Sequence, residues 1–234
     1  MNEVFRQEKK YLLSLDQYYR LSHYLSQFLV EDKHNQGEGY HIRSLYFDTI
    51  DDKDFDDKVS GVELRRKIRL RTYRAEQQSA ALEMKQKQGE LQKKRSLIVS
   101  KEDAREIIKR NYSVLLKYED DFAVECYSLM NSMCYLPKTV VDYQRKAFVA
   151  DGNNIRITFD HHMRGTESNF DIFDEKLVEY PVWDPYVVVL EVKFNGFLLS
   201  YIKDALRDCG VGETSFSKYC LARAVSTHYR YLGN

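Results

Sequence analysis

One segment of this chain alternates cationic and apolar residues, and that pattern constrains the fold more than any other feature. Alternate residues of a β-strand point to opposite faces, so Glu63–Tyr73 would have two very different sides. One side would carry Arg65, Lys67, Arg69 and Arg71. The other includes Ile68 and Leu70. Cations spaced about 7 Å apart along a strand repel one another. The pattern therefore predicts a strand with an apolar core side and an opposite side that binds an anion.

The same kind of alternation recurs in other segments. Charged or polar residues would share a face in the pairs Glu8 and Lys10, Glu83 and Lys85, Tyr143 and Arg145, Arg156 and Asp160, and Glu191 and Lys193. A solvated sheet face explains any one of these strands. Cations on so many strands are less ordinary in a chain with 36 basic and 36 acidic residues and zero net charge. A cationic face backed by an apolar, helix-covered face would enclose a polyanion, and Arg and Lys together suit phosphate.

The periodicity predicts an α+β fold, an eight-stranded antiparallel β-barrel with helices packed on the outside. We expect one domain over residues 1–234. Ser14 with Gln17 and Ser100 with Asp103 are helix-start signals. Further helices are expected over Glu119–Met133, near Leu198–Asp208 and over Ser217–Tyr229. Strands are expected over Phe5–Leu12, Tyr40–Asp48, Glu63–Tyr73, Ala81–Lys87, Leu91–Ser100, Thr139–Ala150, Asn154–Asp160 and Tyr186–Phe194. Hairpin loops are expected at 88–90 and 151–153, and eight strands suit a small closed barrel.

Several classes of protein are disfavoured. No segment approaches the roughly 20 apolar residues that span a bilayer, and the N-terminal MNEVFRQEKK has no apolar stretch of a signal peptide. We therefore expect a cytoplasmic protein without a membrane span. The four cysteines form no C-x-x-C pair, so reduced thiols are expected. Nucleic acid is a less favoured partner, because the cations alternate with core residues inside strands. His161 and His162 are interpreted as loop polarity after a strand.

The acidic residues on the charged faces have two interpretations. Glu8, Glu83, Asp160 and Glu191 could each pair with a neighbouring cation. Alternatively, because phosphate-rich ligands bring Mg²⁺ or Mn²⁺ on one or two carboxylates, some of these residues could hold a metal ion. Glu191 is the first candidate, since Lys193 lies two residues away on the same face.

The ordered motifs of the chain resemble one family. They are R-x-E-x-K-Y from Arg6, S-L-Y-F-D-T from Ser44, K-I-R-L-R-x-Y from Lys67, L-E-M-K from Leu82, K-K-R at residues 93–95, Y-x-R-x-A-F from Tyr143, R-I-T-F-D from Arg156, L-E-V-K-F from Leu190 and F-S-K-Y from Phe216. Together they resemble the VTC domain, the catalytic domain of polyphosphate polymerases in the triphosphate tunnel metalloenzyme (CYTH-like) superfamily. We expect the free-standing bacterial type, without the SPX domain and membrane helices of the eukaryotic complexes.

The resemblance implies a basic tunnel for triphosphate or polyphosphate. It implies phosphate binding by Lys10, Arg69, Arg71, Lys85, Lys94, Arg145, Arg156, Lys193 and Lys218, and the strand face adds Arg65 and Lys67. Lys93 is an alternative to Lys94. The metal ion, Mn²⁺ or Mg²⁺, would be held by Glu191, with Glu8 and Glu83 as further candidates. Lys10, Lys193 and Arg71 would assist catalysis.

The expected activity is transfer of the γ-phosphoryl group of ATP to a polyphosphate chain. Such a reaction needs positioning and charge neutralisation rather than a side-chain nucleophile. A tripolyphosphatase that uses a metal-activated water is the second hypothesis. A sensor that binds polyphosphate or a nucleotide without turnover is the third. The sequence indicates neither the nucleotide nor the oligomeric state.

Overall fold

The computed structural model describes residues 6–89, 91–150, 152–208, 210 and 212–231. The strands are β1 (Arg6–Ser14), β2 (Val30–Glu31), β3 (Tyr40–Asp48), β4 (Leu64–Thr72), β5 (Ser79–Gln88), β6 (Leu91–Ser100), β7 (Leu136–Ala150), β8 (Ile155–Thr166), β9 (Tyr180–Pro181) and β10 (Val187–Asn195). The helices are α1 (Leu15–Leu25), α2 (Lys53–Val59), α3 (Lys101–Ile108), α4 (Asp121–Ser132), α5 (Ser200–Asp208) and α6 (Lys218–Tyr231), with 3₁₀ turns at Tyr112–Lys117 and Gly152–Asn154.

The strands form a ten-stranded sheet in an α+β fold. Its main path is β1-β10-β8-β7-β3-β4-β5-β6, while β2 pairs with β7 and β9 with β8. The pairings of β1 with β10, β3 with β4, β4 with β5 and β5 with β6 are all antiparallel. Within the described ranges no pairing joins the two ends of this path. The α+β class is thus confirmed, whereas the closed eight-stranded barrel stays a prediction.

The chain divides into two compact units. The first unit is Met1–His41, Tyr143–Met163 and Trp183–Ser217, and the second is Ile42–Asp142, Arg164–Val182 and Lys218–Asn234. Strands β3, β7 and β8 contribute residues to both. The single domain expected over residues 1–234 stays a prediction.

The first unit builds its core on one side of its strands. Phe148, Ile157, Phe159, Leu190 and Val192 are all buried and pack with residues of α1 and α5. The start of α1 is fixed by a capping box, because Ser14 Oγ accepts from the Gln17 amide at 3.2 Å and Gln17 Oε1 accepts from the Ser14 amide at 2.8 Å. The opposite side of the same strands is left for charged residues.

The second unit repeats this arrangement with other elements. Ile68, Leu70, Leu82 and Met84 are buried and pack with residues of α3 and α4 in one cluster. Helix α3 begins where predicted, since Ser100 Oγ accepts from the Asp103 amide at 3.0 Å. The alternation in β4 therefore separates a core side from a charged side, as the sequence predicts.

Some local expectations were wrong. Strand β8 does not end at Asp160 but runs to Thr166, so His161 and His162 lie in a strand rather than a loop. His162 adopts a positive φ of 51° inside this strand. Helix α2 and the two short strands β2 and β9 were not predicted. The described cysteines Cys126, Cys134 and Cys220 are free.

One glycine of the first unit is required by close backbone contact. Gly39 has a φ of +121°, and a Cβ atom built there would lie 2.3 Å from the backbone oxygen of Arg145. Backbone cannot yield to such a contact as a flexible side chain would, so any larger residue must displace β7 at Arg145.

Candidate functional site

A cationic face lies on strands β4, β5 and β6 of the second unit. Its members are Arg65, Lys67, Arg69, Arg71, Lys85, Lys87 and Lys94. The register places Lys67 opposite Lys85 and Lys85 opposite Lys94, so three ammonium-bearing residues lie side by side. Arg65 likewise lies opposite Lys87. Like charges directly opposite one another destabilise a sheet. This face therefore favours the binding of an anion.

Glu83 is the single carboxylate that the described residues of these three strands place on the cationic face. Its Oε2 accepts from Arg69 Nε at 2.8 Å and lies 3.7 Å from Arg71 Nη1, while its Oε1 lies 2.6 Å from Lys94 Nζ. Burial alone would raise the pKa of Glu83, but Arg69, Arg71 and Lys94 lower it to about 2. Both carboxylate oxygens are engaged by cations, which favours a counterion role over metal binding for Glu83.

Arg71 is the most enclosed cation of this face. Its exposed fraction is 8%, and its Nε has no hydrogen-bond partner among the described residues. The N–H donors of a buried guanidinium are normally hydrogen-bonded to acceptors. Arg71 can therefore offer directed donors to an anion that reaches it.

Two stacked tyrosines adjoin Arg69 in the second unit. Tyr46 Oη accepts from Arg69 Nη1 at 3.1 Å, and its ring stacks on Tyr219 with centroids 5.2 Å apart. Burial would raise the pKa of Tyr46, but the charges of Arg69, Arg71 and Lys218 outweigh it and lower that pKa. Lys218, at the start of α6, thus adds its charge to the same region.

A mixed-charge face occupies the first unit. Its residues are Glu8 and Lys10 on β1, Arg145 on β7, Arg156 and Asp160 on β8, and Glu191 and Lys193 on β10. Lys10 Nζ lies 3.1 Å from Glu8 Oε1 and 3.8 Å from Glu191 Oε2. Lys193 also contacts both carboxylates. The cross-strand pairs Lys10 with Glu191 and Glu8 with Lys193 produce this arrangement.

The arginines of the mixed-charge face are held by acidic partners. Arg145 donates to Asp160 from Nε at 2.6 Å and from Nη2 at 2.8 Å, and the aspartate is buried. Arg156 pairs with Asp32 and donates to Tyr40 Oη at 3.0 Å. The two-pronged pair fixes the direction of the Arg145 guanidinium, and Arg156 is held by two different partners, so both arginines are oriented before any ligand binds.

The carboxylates of the mixed-charge face fit a divalent cation in part. Within the described ranges no three His, Cys, Asp or Glu side chains come together as a metal-binding group. Glu8 and Glu191 nevertheless share the same two lysine partners and are both largely enclosed. Mg²⁺ at nucleotide sites is commonly held by one or two carboxylates, with phosphate and water oxygens as the other ligands. This pair has the donor chemistry for such a site.

The comparison with known families decides the assignment. The model of the VTC domain matches residues 5–227. The chain belongs to the VTC domain family. This match confirms the resemblance predicted from the ordered motifs. No curated protein matches the chain.

One solved structure resembles this VTC domain in fold, and a second shows a weaker likeness. A Bacillus halodurans protein described as a candidate adenylate cyclase has a TM-score of 0.52 and 13% identity, with 91% of this chain and 95% of that chain covered. A similarly described Vibrio parahaemolyticus protein has a TM-score of 0.48 and 12% identity, with 94% and 98% covered. At such identities the first likeness shows the fold alone. Among the described helices of the VTC domain, none combines the length and the apolar character needed to cross a membrane.

The structure distributes the predicted residues over the two faces. Arg65, Lys67, Arg69, Arg71, Glu83, Lys85 and Lys94 belong to the cationic face, and Lys218 lies in the same unit. Lys10, Glu8, Arg145, Arg156, Glu191 and Lys193 belong to the mixed-charge face. Lys94 contacts Glu83, whereas Lys93 lies at the alternate register position of β6, so the structure favours Lys94.

Sequence reasoning assigned no role to several residues that hold these cations. Asp32, Tyr40 and Tyr46 contact Arg156 or Arg69, and Asp48 accepts a hydrogen bond from Tyr219 at 2.5 Å. Tyr46, Asp48 and Tyr219 lie within the quoted motifs, and this position in the sequence is the feature that could have identified them. Asp32 lies between β2 and β3, where no periodicity marks it.

Proposed function

We propose that this VTC domain is a metal-dependent polyphosphate polymerase that transfers the γ-phosphoryl group of ATP to a phosphate chain. The cationic face carries the proposal. Seven cations and one carboxylate share this side of β4, β5 and β6. Their mutual repulsion is relieved most effectively by a ligand that brings many negative charges.

The length of the cationic face supports a chain rather than a short phosphate. Arg65 and Arg71 are six residues apart in β4, which corresponds to about 20 Å along a strand. A triphosphate, with two bridging oxygens between three phosphorus atoms, is much shorter than this track. A linear polyphosphate can contact the whole row, from the Arg65–Lys87 pair to Arg71.

The proposed chemistry needs no side-chain nucleophile. An ionised terminal oxygen of the bound chain attacks the γ-phosphorus of ATP and forms a new P–O bond. The bond from the γ-phosphorus to the β–γ bridging oxygen breaks, and that oxygen leaves on ADP with the electron pair. Lys10 and Lys193 would stabilise charge on the transferring group, and Arg145 and Arg156 would orient phosphate oxygens. In the second unit, Arg71 with Arg69, Lys85 and Lys218 would hold phosphates.

Glu191 and Glu8 are the residues that would hold Mg²⁺ or Mn²⁺. When bound, the ion would neutralise charge on phosphate oxygens. Glu83 remains a weaker candidate for this role, because Arg69, Arg71 and Lys94 already engage it.

The direct test is incubation of the purified protein with ATP and Mn²⁺, followed by electrophoresis of the acid-stable product. A phosphate polymer together with stoichiometric ADP is the expected result. Release of free phosphate alone, from ATP or tripolyphosphate, would replace the polymerase by a tripolyphosphatase. Salt-dependent polyphosphate binding without turnover in any metal would indicate a sensor.

A further inference from the structure

A buried carboxylate at the end of β3 joins three elements of the second unit. Asp48 is the last residue of β3 and is fully buried. Its Oδ1 accepts from the amides of Thr49 at 2.7 Å and Asp54 at 2.8 Å, and its Oδ2 accepts from the Phe55 amide at 2.9 Å. These bonds fix the start of α2. The fourth donor is the Tyr219 hydroxyl at 2.5 Å, so Asp48 also fixes the start of α6.

Tyr219 connects this carboxylate to the cationic face. It follows Lys218 directly in α6, and its ring stacks on Tyr46 at an interplanar angle of 26°. Tyr46 in turn accepts from Arg69 Nη1 at 3.1 Å. The Tyr219 ring therefore fixes where Lys218 begins its helix and supports the tyrosine that orients Arg69.

We propose that the Asp48–Tyr219 hydrogen bond positions Lys218 and Arg69 for phosphate binding. This inference rests on the proposed function, because it assigns the two cations a phosphate ligand. Asp48 and Tyr219 are positioning residues that do not touch the ligand.

Helix α6 has a second point of attachment, so the Tyr219 hydroxyl is not needed to hold the whole helix in place. Arg223, one turn after Tyr219, is 2% exposed and pairs with Glu167 at 2.8 Å and Asp52 at 2.6 Å. Helix α6 therefore stays attached when the Tyr219 hydroxyl is removed, and the first turn with Lys218 is the part that loses its fixed position.

The experiment measures tripolyphosphate binding by calorimetry for wild type, Tyr219→Phe and a control variant. Tyr112→Phe is the matched control, because Tyr112 is also buried in the second unit and donates to the Tyr135 carbonyl at 2.6 Å, away from the cationic face. Tyr219→Phe should weaken binding about tenfold, whereas Tyr112→Phe should lower the melting temperature and leave binding unchanged. In a Lys218→Ala background, the effect of Tyr219→Phe should shrink to about threefold or less.

The outcomes are distinct. Equal binding by Tyr219→Phe and Tyr112→Phe, or the same loss from Tyr219→Phe with and without Lys218, would overturn the positioning role while leaving the proposed function intact. Failure of the wild type to bind tripolyphosphate would overturn the proposed function and this inference with it.

Discussion

Glu83 and Arg69 form a double contact in the middle of the cationic face. The Nε and Nη2 atoms of Arg69 lie 2.8 Å and 2.7 Å from the same carboxylate oxygen of Glu83. A phosphate oxygen would accept hydrogen bonds from these same two donors. Glu83 thus stabilises the ligand-free strands and competes with the proposed ligand for Arg69.

Replacing Glu83 by Gln should separate these two effects. In phosphate-free buffer the variant should lose about 2–3 kcal/mol of unfolding free energy, because Arg69, Arg71 and Lys94 lose their shared, buried counterion. Its affinity for tripolyphosphate should rise about tenfold. Chemical denaturation and calorimetry measure the two quantities.

The control for this change is Glu125→Gln. Glu125 pairs with Arg95, which alternates with Lys94 in β6 and contacts the Phe122 ring of the core side. This variant should leave tripolyphosphate affinity unchanged. Unaltered or weaker binding by Glu83→Gln would refute the competition.

Arg71→Met should weaken tripolyphosphate binding about 10- to 100-fold, because the guanidinium offers donors to charged oxygens. Methionine keeps much of the side-chain volume, and the loss of one cation from a crowded face should leave the ligand-free protein at least as stable. Arg105→Met is the comparison, since Arg105 lies on α3 and pairs with Asp171. If Arg71→Met binds tripolyphosphate like the wild type, the cationic face is not a phosphate site.

Glu191→Gln should lower turnover with ATP and Mn²⁺ about 100-fold, because the proposed ion would lose a charged ligand. Tripolyphosphate binding without metal should persist, since the cationic face is unchanged. Glu213→Gln provides the comparison: Glu213 pairs with Lys9, whose position in β1 alternates with that of Lys10. Full activity of Glu191→Gln across a Mn²⁺ titration would remove Glu191 from the metal site.

The buried carboxyl of Asp54 should make stability fall as pH rises. Burial raises the pKa of Asp54 to about 7, although the hydrogen bond from Tyr135 opposes the rise. Between about pH 4 and 7 the native protein therefore keeps a proton that the unfolded chain has released. The contribution of Asp54 to the free energy of unfolding should fall by about 1.4 kcal/mol per pH unit over this range.

Asp54→Asn should abolish this part of the pH dependence, since the amide oxygen can still accept from Tyr135 without titrating. Urea denaturation at pH 4.5 and pH 7.5 gives the comparison with the wild type. Asp57→Asn, at a position that pairs with Lys53 on the same helix, should keep the wild-type slope. Parallel slopes for wild type and Asp54→Asn would show that the Asp54 carboxyl titrates in its ordinary range.

The long strands could be predicted because alternation is a local property of the sequence. Tyr40–Asp48 and Leu91–Ser100 were predicted with the bounds that the structure has. Helix α2 could not, because its seven residues make only about two turns and its first amides are held by the side chain of Asp48 at the end of β3. The end of β8 was missed because residues 161–166, H-H-M-R-G-T, carry little apolar alternation although the strand continues through them.

For the candidate site, the sequence alone could predict which types of residue share a face. The choice of Lys94 over Lys93 needed the register of β6 against β5. The pairing of Arg156 with Asp32 joins residues 124 positions apart, which no periodicity can indicate. The two interpretations of Glu83 could be weighed only once both of its oxygens were seen to contact cations.

The close approach of Gly39 to β7 has a consequence for anyone who diversifies this protein. In a saturation library scored for activity, position 39 should be depleted of every residue except glycine, although it carries no charge and touches no proposed ligand. The Gly39 backbone lies against the backbone of Arg145. Loss of activity on substitution at position 39 would therefore come from displacement of Arg145, a residue far along the chain.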